Sequence, residues 1–96
     1  LDLSKLLIKL FYCILFYMKN ILIAEDDPKI QDMLKIFVKR YNHNPILCND
    51  GQEAIDFVTK NPKIEINLLI SDYEMPRVKG NELVEYFNRN NYTFPK

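Results

Sequence analysis

Glycine and alanine are almost missing from this sequence, with two of each in 96 residues. Ile, Asn, Lys, Phe and Tyr are abundant instead. AT-rich codons encode that set, so the bias reports the genome rather than the fold. A surplus of either charge is also lacking: 13 Lys and Arg balance 13 Asp and Glu. Nothing in that balance suggests a nucleic-acid footprint, which needs a basic surplus on one face. Only two cysteines occur, Cys13 and Cys48. They are isolated, without metal-ligand spacing, and read as reduced packing residues. The one histidine, His43, stands between Asn42 and Asn44 in a polar stretch and reads as a surface turn residue. Internal repeats and low-complexity linkers are absent, and the length allows a single domain.

A long apolar run is lacking too. From Leu6 to Met18 the sequence is apolar except for Lys9, two tyrosine hydroxyls and a thiol. Thirteen helical residues span about 20 Å, whereas a bilayer core needs about 30 Å, or around 20 residues. The run is too short for a membrane span. No small-residue cleavage site follows it, as a signal peptide would require. Met18 is followed by Lys19-Asn20 and a strand, which looks like a natural start. Residues 1–17 therefore read as an apolar N-terminal extension, either upstream sequence or a short helix, ahead of a domain over 18–96.

What is present is an alternation of strands and helices. Ile21-Leu22-Ile23-Ala24 is a continuous apolar run, as expected of a strand buried on both faces of a parallel sheet. Asp27-Pro28 opens a helix, Asp as N-cap and Pro at the first helical position. Ile30, Met33, Leu34, Phe37, Val38 and Tyr41 follow the spacing of one buried stripe, with Lys29, Lys35, Lys39 and Arg40 on the solvated side. The stretch Asn42 to Pro45 breaks that helix. Ile46-Leu47-Cys48 predicts a second strand. Asn49-Asp50-Gly51 is a turn, and Glu53 to Val58 begins a second helix that Asn61-Pro62 ends. Asn67 to Asp72 predicts a third strand. Met75-Pro76 and Gly80 mark a loop. A third helix starts at Glu82, with Leu83, Val84 and Phe87 on one face, and Asn90-Asn91 closes it. Tyr92 to Lys96 looks like the approach to a fourth strand. The pattern is that of an α/β fold with a doubly wound parallel sheet.

Three acids, Glu25, Asp26 and Asp27, follow the first strand, and Asp72 ends the third. Ligands of open α/β sheets bind outside the carboxyl ends of the strands, at the switch in strand order. If the first and third strands are neighbours, the acids meet there. Converging carboxylates repel and raise one another's pKa. A hard cation such as Mg²⁺, which prefers oxygen ligands, resolves that conflict. One carboxylate then remains for chemistry, and a carboxylate can accept a phosphoryl group as an aspartyl-phosphate. Taken alone, the triplet is explained by a helix start, where acids meet the positive end of the dipole, and Asp27 reads mainly as a cap.

Ile21 to Pro28 resembles the opening of response-regulator receiver domains of two-component signalling. Leu68-Leu69-Ile70-Ser71-Asp72-Tyr73-Glu74-Met75-Pro76 with Gly80 resembles the family's phosphorylation segment, and Asp50-Gly51-Gln52-Glu53-Ala54 its turn into the second helix. The resemblance covers residues 19–96. It implies a flavodoxin-like receiver fold, whose full strand order is 2-1-3-4-5, with strands and helices 1–3 fully present here. It also implies Asp72 as phosphoacceptor and metal ligand, Asp26 as a direct Mg²⁺ ligand, Glu25 as one acting partly through water, and the backbone carbonyl of Glu74 as a further oxygen. Met75-Pro76 and Gly80 shape the loop, while Ser71 and Tyr73 fall at variable positions. Lys79 replaces the acid or small polar residue often found there.

The implied partner is a sensor histidine kinase or a histidine phosphotransfer protein. The implied setting is cytoplasmic, and the implied role is not that of an enzyme acting on other molecules. Two further family residues, a Ser or Thr after the fourth strand and a Lys after the fifth, have no match: Thr93 precedes the expected fourth strand and Lys96 comes too early. The family's switching and oligomer surface lies in that later part. Stopping at Lys96 would leave the third strand as an apolar edge, which predicts partial disorder or self-association. The competing reading is a degenerate receiver that keeps an acidic metal-binding cluster without signalling. A Mg²⁺-dependent phosphatase is disfavoured, because Glu74 stands where such enzymes carry a second Asp.

Overall fold

The three apolar runs form three strands: β1 (Asn20–Ala24), β2 (Asn44–Cys48) and β3 (Leu68–Ser71). Three helices alternate with them: α1 (Pro28–Arg40), α2 (Gly51–Lys60) and α3 (Gly80–Arg89). The computed structural model describes residues 2–8 and 18–96. Residues 3–8 are helical, with Leu3, Leu7 and Ile8 exposed. Most of the apolar run from Leu6 to Met18, and Cys13 with it, lies outside the described residues. Among the described residues no helix is long and apolar enough to cross a membrane.

The sheet is parallel with order β2-β1-β3, so β1 is central. This is the doubly wound α/β arrangement, with the start of the strand order that the resemblance implies. Successive strand residues point to opposite faces, and the core divides accordingly. Leu22 and Ala24 face Ala54 and Val58 of α2, Leu83 and Phe87 of α3, and Leu69 of β3. Ile21 and Ile23 face Val38 of α1, with Leu34, Leu47, Leu68 and Ile70 packed around them. Cys48 is free and buried in the first of these layers. Burial is the main cause that pushes its thiol up to about 12, so it acts as a small apolar side chain.

The helix ends follow local chemistry. The Asp27 carboxylate accepts the Lys29 N–H at 2.9 Å, with Pro28 in the first turn. Asp50 caps α2 by accepting the Glu53 N–H at 2.8 Å. α1 ends with Asn42 in the left-handed region (φ 63°), where the His43 N–H reaches the Val38 carbonyl and the Asn42 N–H the Lys39 carbonyl. α3 ends the same way, with Asn91 at φ 65° and the Tyr92 N–H on the Phe87 carbonyl. Both are Schellman closures with Asn in the place glycine usually takes.

Several sequence expectations are corrected. α2 and α3 each begin two residues earlier than Glu53 and Glu82, at Gly51 and Gly80. β2 extends back through Pro45 to Asn44, which an edge strand tolerates because Pro has no N–H to offer. The stripe on α1 is rotated. Ile30, Met33, Phe37 and Tyr41 are 39%, 63%, 57% and 60% exposed. Leu34 and Val38 do turn inward as expected, and Gln31 and Lys35 join them. α1 is the one described helix packed on its layer of the sheet, so only the line of residues directly over β1 and β2 is covered. Phe37 and Tyr41 pack on each other, ring centroids 5.0 Å apart.

Residues 92–96 form no strand. Tyr92 and Phe94 instead pack edge-on against Phe87 at 5.2 and 5.1 Å. The Pro95 carbonyl accepts the Leu69 N–H at 2.9 Å, so the outer side of β3 is covered in part.

Candidate functional site

The register of β1 and β3 places Ala24 opposite Ser71. The residues that follow therefore leave the sheet side by side, at the carboxyl end where such sheets bind ligands. The Asp72 N–H donates to the Ala24 carbonyl at 3.0 Å, extending the ladder one step into the site. Glu25 is tied to the other neighbour, its N–H donating to the Cys48 carbonyl at 3.1 Å.

Carboxylate oxygens of Glu25, Asp26 and Asp72 all lie within 4.8 Å of one another. Glu25 is buried, Asp26 exposed and Asp72 half-buried. Burial raises the Glu25 carboxyl above the ordinary glutamate range. The Asp27 N–H, which donates to Glu25 Oε1 at 3.1 Å, works against that rise, and the charges of Asp72 and Asp26 add to it. The Tyr73 N–H donates to Asp72 Oδ1 at 2.8 Å and fixes the plane of that carboxylate. Asp27 caps α1 and stands outside the cluster.

The loop after Asp72 is shaped by close packing. A Cβ on Gly80 would meet the Asp72 carbonyl oxygen at 2.3 Å, so only glycine fits. The Gly80 N–H donates to the Tyr73 carbonyl at 2.9 Å and closes the loop. Met75 does more than shape the loop: it is buried in the α2–α3 layer of the core. The side chains of Tyr73 and Glu74 are exposed. Ser71 donates its hydroxyl to the Asp72 carbonyl at 2.9 Å. His43 is a half-buried turn residue whose Nδ1 accepts the Lys19 N–H at 3.1 Å.

Two contributors were not visible in the sequence. Gln31 donates from its amide to the carbonyls of Glu25 and Cys48 at 3.1 and 3.2 Å, joining α1 to the ends of β1 and β2. Arg77 forms a two-point ion pair with Asp50, Nε to Oδ2 at 2.8 Å and Nη2 to Oδ1 at 2.9 Å. That guanidinium holds the Asp50 carboxyl below the usual aspartate range. A glutamine on a helix and an arginine in a loop carry no signal of what they will meet.

A family model described as the response regulator receiver domain matches residues 21–95. The chain belongs to the response regulator receiver domain family. Response regulator GtcR of Aneurinibacillus migulanus is 35% identical over 77 residues, covering 80% of this chain and 30% of GtcR. The chemotaxis protein CheY homolog of Campylobacter jejuni is 33% identical over 67 residues, covering 69% of this chain and 50% of that protein. Among solved structures, the response regulator TrrA of Thermotoga maritima, in complex with Mg(2+)-BeF, superposes with a TM-score of 0.68. It is 28% identical and aligns over 77% of this chain and 62% of that chain. The chain thus spans about 30% of the length of the first of these curated relatives and half of the second.

Proposed function

We propose that this receiver accepts a phosphoryl group on Asp72 from a sensor histidine kinase or a histidine phosphotransfer protein, with Mg²⁺ as cofactor. The observation that carries the proposal is the meeting of the Glu25, Asp26 and Asp72 carboxylates within 4.8 Å in a chain of this family.

The donor set suits the ion. All the side-chain donors are hard carboxylate oxygens, the type Mg²⁺ selects. One of them, Glu25, carries a cost of burial that a cation would relieve. Asp26 and Asp72 would hold the metal directly, Glu25 partly through water, and the Glu74 backbone carbonyl would add an oxygen. Bound there, Mg²⁺ supplies neutralisation of charge on the phosphoryl oxygens. TrrA, a relative of the same fold, is known in complex with Mg(2+)-BeF, which supports the same pairing here.

The chain's own residues do the rest. A carboxylate oxygen of Asp72 attacks phosphorus, and the P–N bond to the donor imidazole breaks. The imidazole nitrogen keeps that bond's electron pair and is left neutral after proton exchange with solvent. The Tyr73 N–H holds the acceptor carboxylate, and Gly80 lets the loop lie against it.

Beryllofluoride binding tests this reading. With Mg²⁺, fluorine NMR of the wild-type chain should show a bound signal that Asp72→Asn and chelation both abolish. A signal of equal size in Asp72→Asn would remove Asp72 from the role.

A further inference from the structure

The geometry points to Arg77 as a positioning residue that pins the acceptor loop to the start of α2, an inference that rests on the phosphoacceptor reading of Asp72. Two separate features bring the loop and the helix together. The first is the two-point pair between Arg77 and Asp50, at 2.8 and 2.9 Å. The second is the contact beside it: a Cβ on Gly51 would meet the Val78 carbonyl oxygen at 2.5 Å and Val78 Cβ at 2.7 Å. The loop thus lies directly on the first turn of α2, in a space that only glycine leaves open.

The pair holds its place at a conformational cost. Arg77 has φ 68°, a left-handed backbone that non-glycine residues seldom adopt. The Asp50 side chain is 11% exposed and Arg77 55% exposed, so the carboxylate is partly shielded from water. A planar guanidinium meeting both oxygens of one carboxylate fixes direction as well as distance. Asp50 is anchored in turn, because the same Oδ1 caps α2 through the Glu53 N–H. Arg77 lies five residues after Asp72 and three before Gly80, inside the loop that the Gly80 to Tyr73 hydrogen bond closes. The clamp therefore limits how that loop moves relative to Asp72. Its function is to keep the loop in place before metal or phosphoryl group arrives, so that binding does not have to order it.

The test uses Arg77→Gln and Asp50→Asn in the full chain, singly and together. Asn still caps a helix well, so Asp50→Asn removes the ion pair while α2 keeps its cap. Two quantities are read: hydrogen exchange of the Gly80 amide without metal, and the Mg²⁺ dissociation constant by NMR titration. Each single variant should lower Gly80 protection while Leu22, in the core of β1, keeps its own. Each should also weaken Mg²⁺ binding by about tenfold, the scale on which outer partners of metal sites act. The double variant should be no weaker than either single one, as for two residues acting through one contact. Arg77→Lys should recover only part of the loss, since an ammonium cannot make the two-point fork. Wild-type Gly80 protection in both single variants would overturn the assignment, as would independent, additive losses of Mg²⁺ affinity. If the wild type binds no Mg²⁺, the metal reading of the site falls and the clamp stands or falls on Gly80 alone.

Discussion

Gly80 lies so close to Asp72 that a Cβ would stand 2.3 Å from its carbonyl oxygen and 2.9 Å from the Cα of Tyr73. Both neighbours are backbone, so neither can turn aside. Gly80→Ala should therefore push the start of α3 away from the end of β3 and cost about 1–3 kcal/mol, the range for overfilling a packed site. Urea unfolding followed by circular dichroism measures it. A midpoint unchanged from wild type would show that the loop yields more easily than this packing implies.

Glu25 gives a prediction with a sign that depends on pH. Burial raises its folded pKa above the ordinary value of 4.5. The folded chain therefore binds that proton more tightly than the unfolded chain does. The ionised carboxylate destabilises the metal-free protein above the folded pKa, and the penalty is relieved as pH falls through that value towards 4.5. Glu25→Gln should stabilise the metal-free chain at neutral pH, because the amide carries no charge to bury. The gap in Tm between variant and wild type should close as the solution is acidified. Mg²⁺ should raise the Tm of the wild type at neutral pH and raise that of Glu25→Gln less.

Phe87 holds the C-terminal residues in place. It is fully buried and packs edge-on with Tyr86, Tyr92 and Phe94 at 5.7, 5.2 and 5.1 Å. Phe87→Ala should cost about 3–5 kcal/mol, as for other large-to-small core changes. It should also release the Pro95 carbonyl from the Leu69 N–H. Hydrogen exchange would then show Leu69 losing more protection than Leu22.

The strands and the acids were legible because each is written in a local pattern. Ile21 to Ala24 and Leu68 to Ile70 are continuous apolar runs that end in acids, and a parallel pair with Ala24 opposite Ser71 brings those acids together with no further information. Asp27-Pro28, Asn42 and Asn91 were legible as helix boundaries, since caps and left-handed closures are chosen by single residues. The inward side of α1 was not legible. Its apolar residues span more of the helix than β1 and β2 cover, and periodicity cannot say which part of a wide stripe will meet the sheet. That left Met33 and Phe37 outside and drew Lys35 half in. The starts of α2 and α3 are hidden in the sequence because Gly51 and Gly80 look like turn residues, whereas close approach of Val78 and Asp72 explains both glycines. Arg77 and Gln31 depend on long-range contacts, 27 residues to Asp50 and 17 to Cys48, and no local pattern announces them.

The most direct test of the central claim is acetyl phosphate treatment of the chain with Mg²⁺, read by intact mass and peptide mapping. The wild type should gain one acid-stable, base-labile phosphoryl group on the peptide that contains Asp72, and Asp72→Asn or chelation of the metal should abolish it. Equal labelling of Asp72→Asn, or labelling that proceeds unchanged without Mg²⁺, would contradict the account.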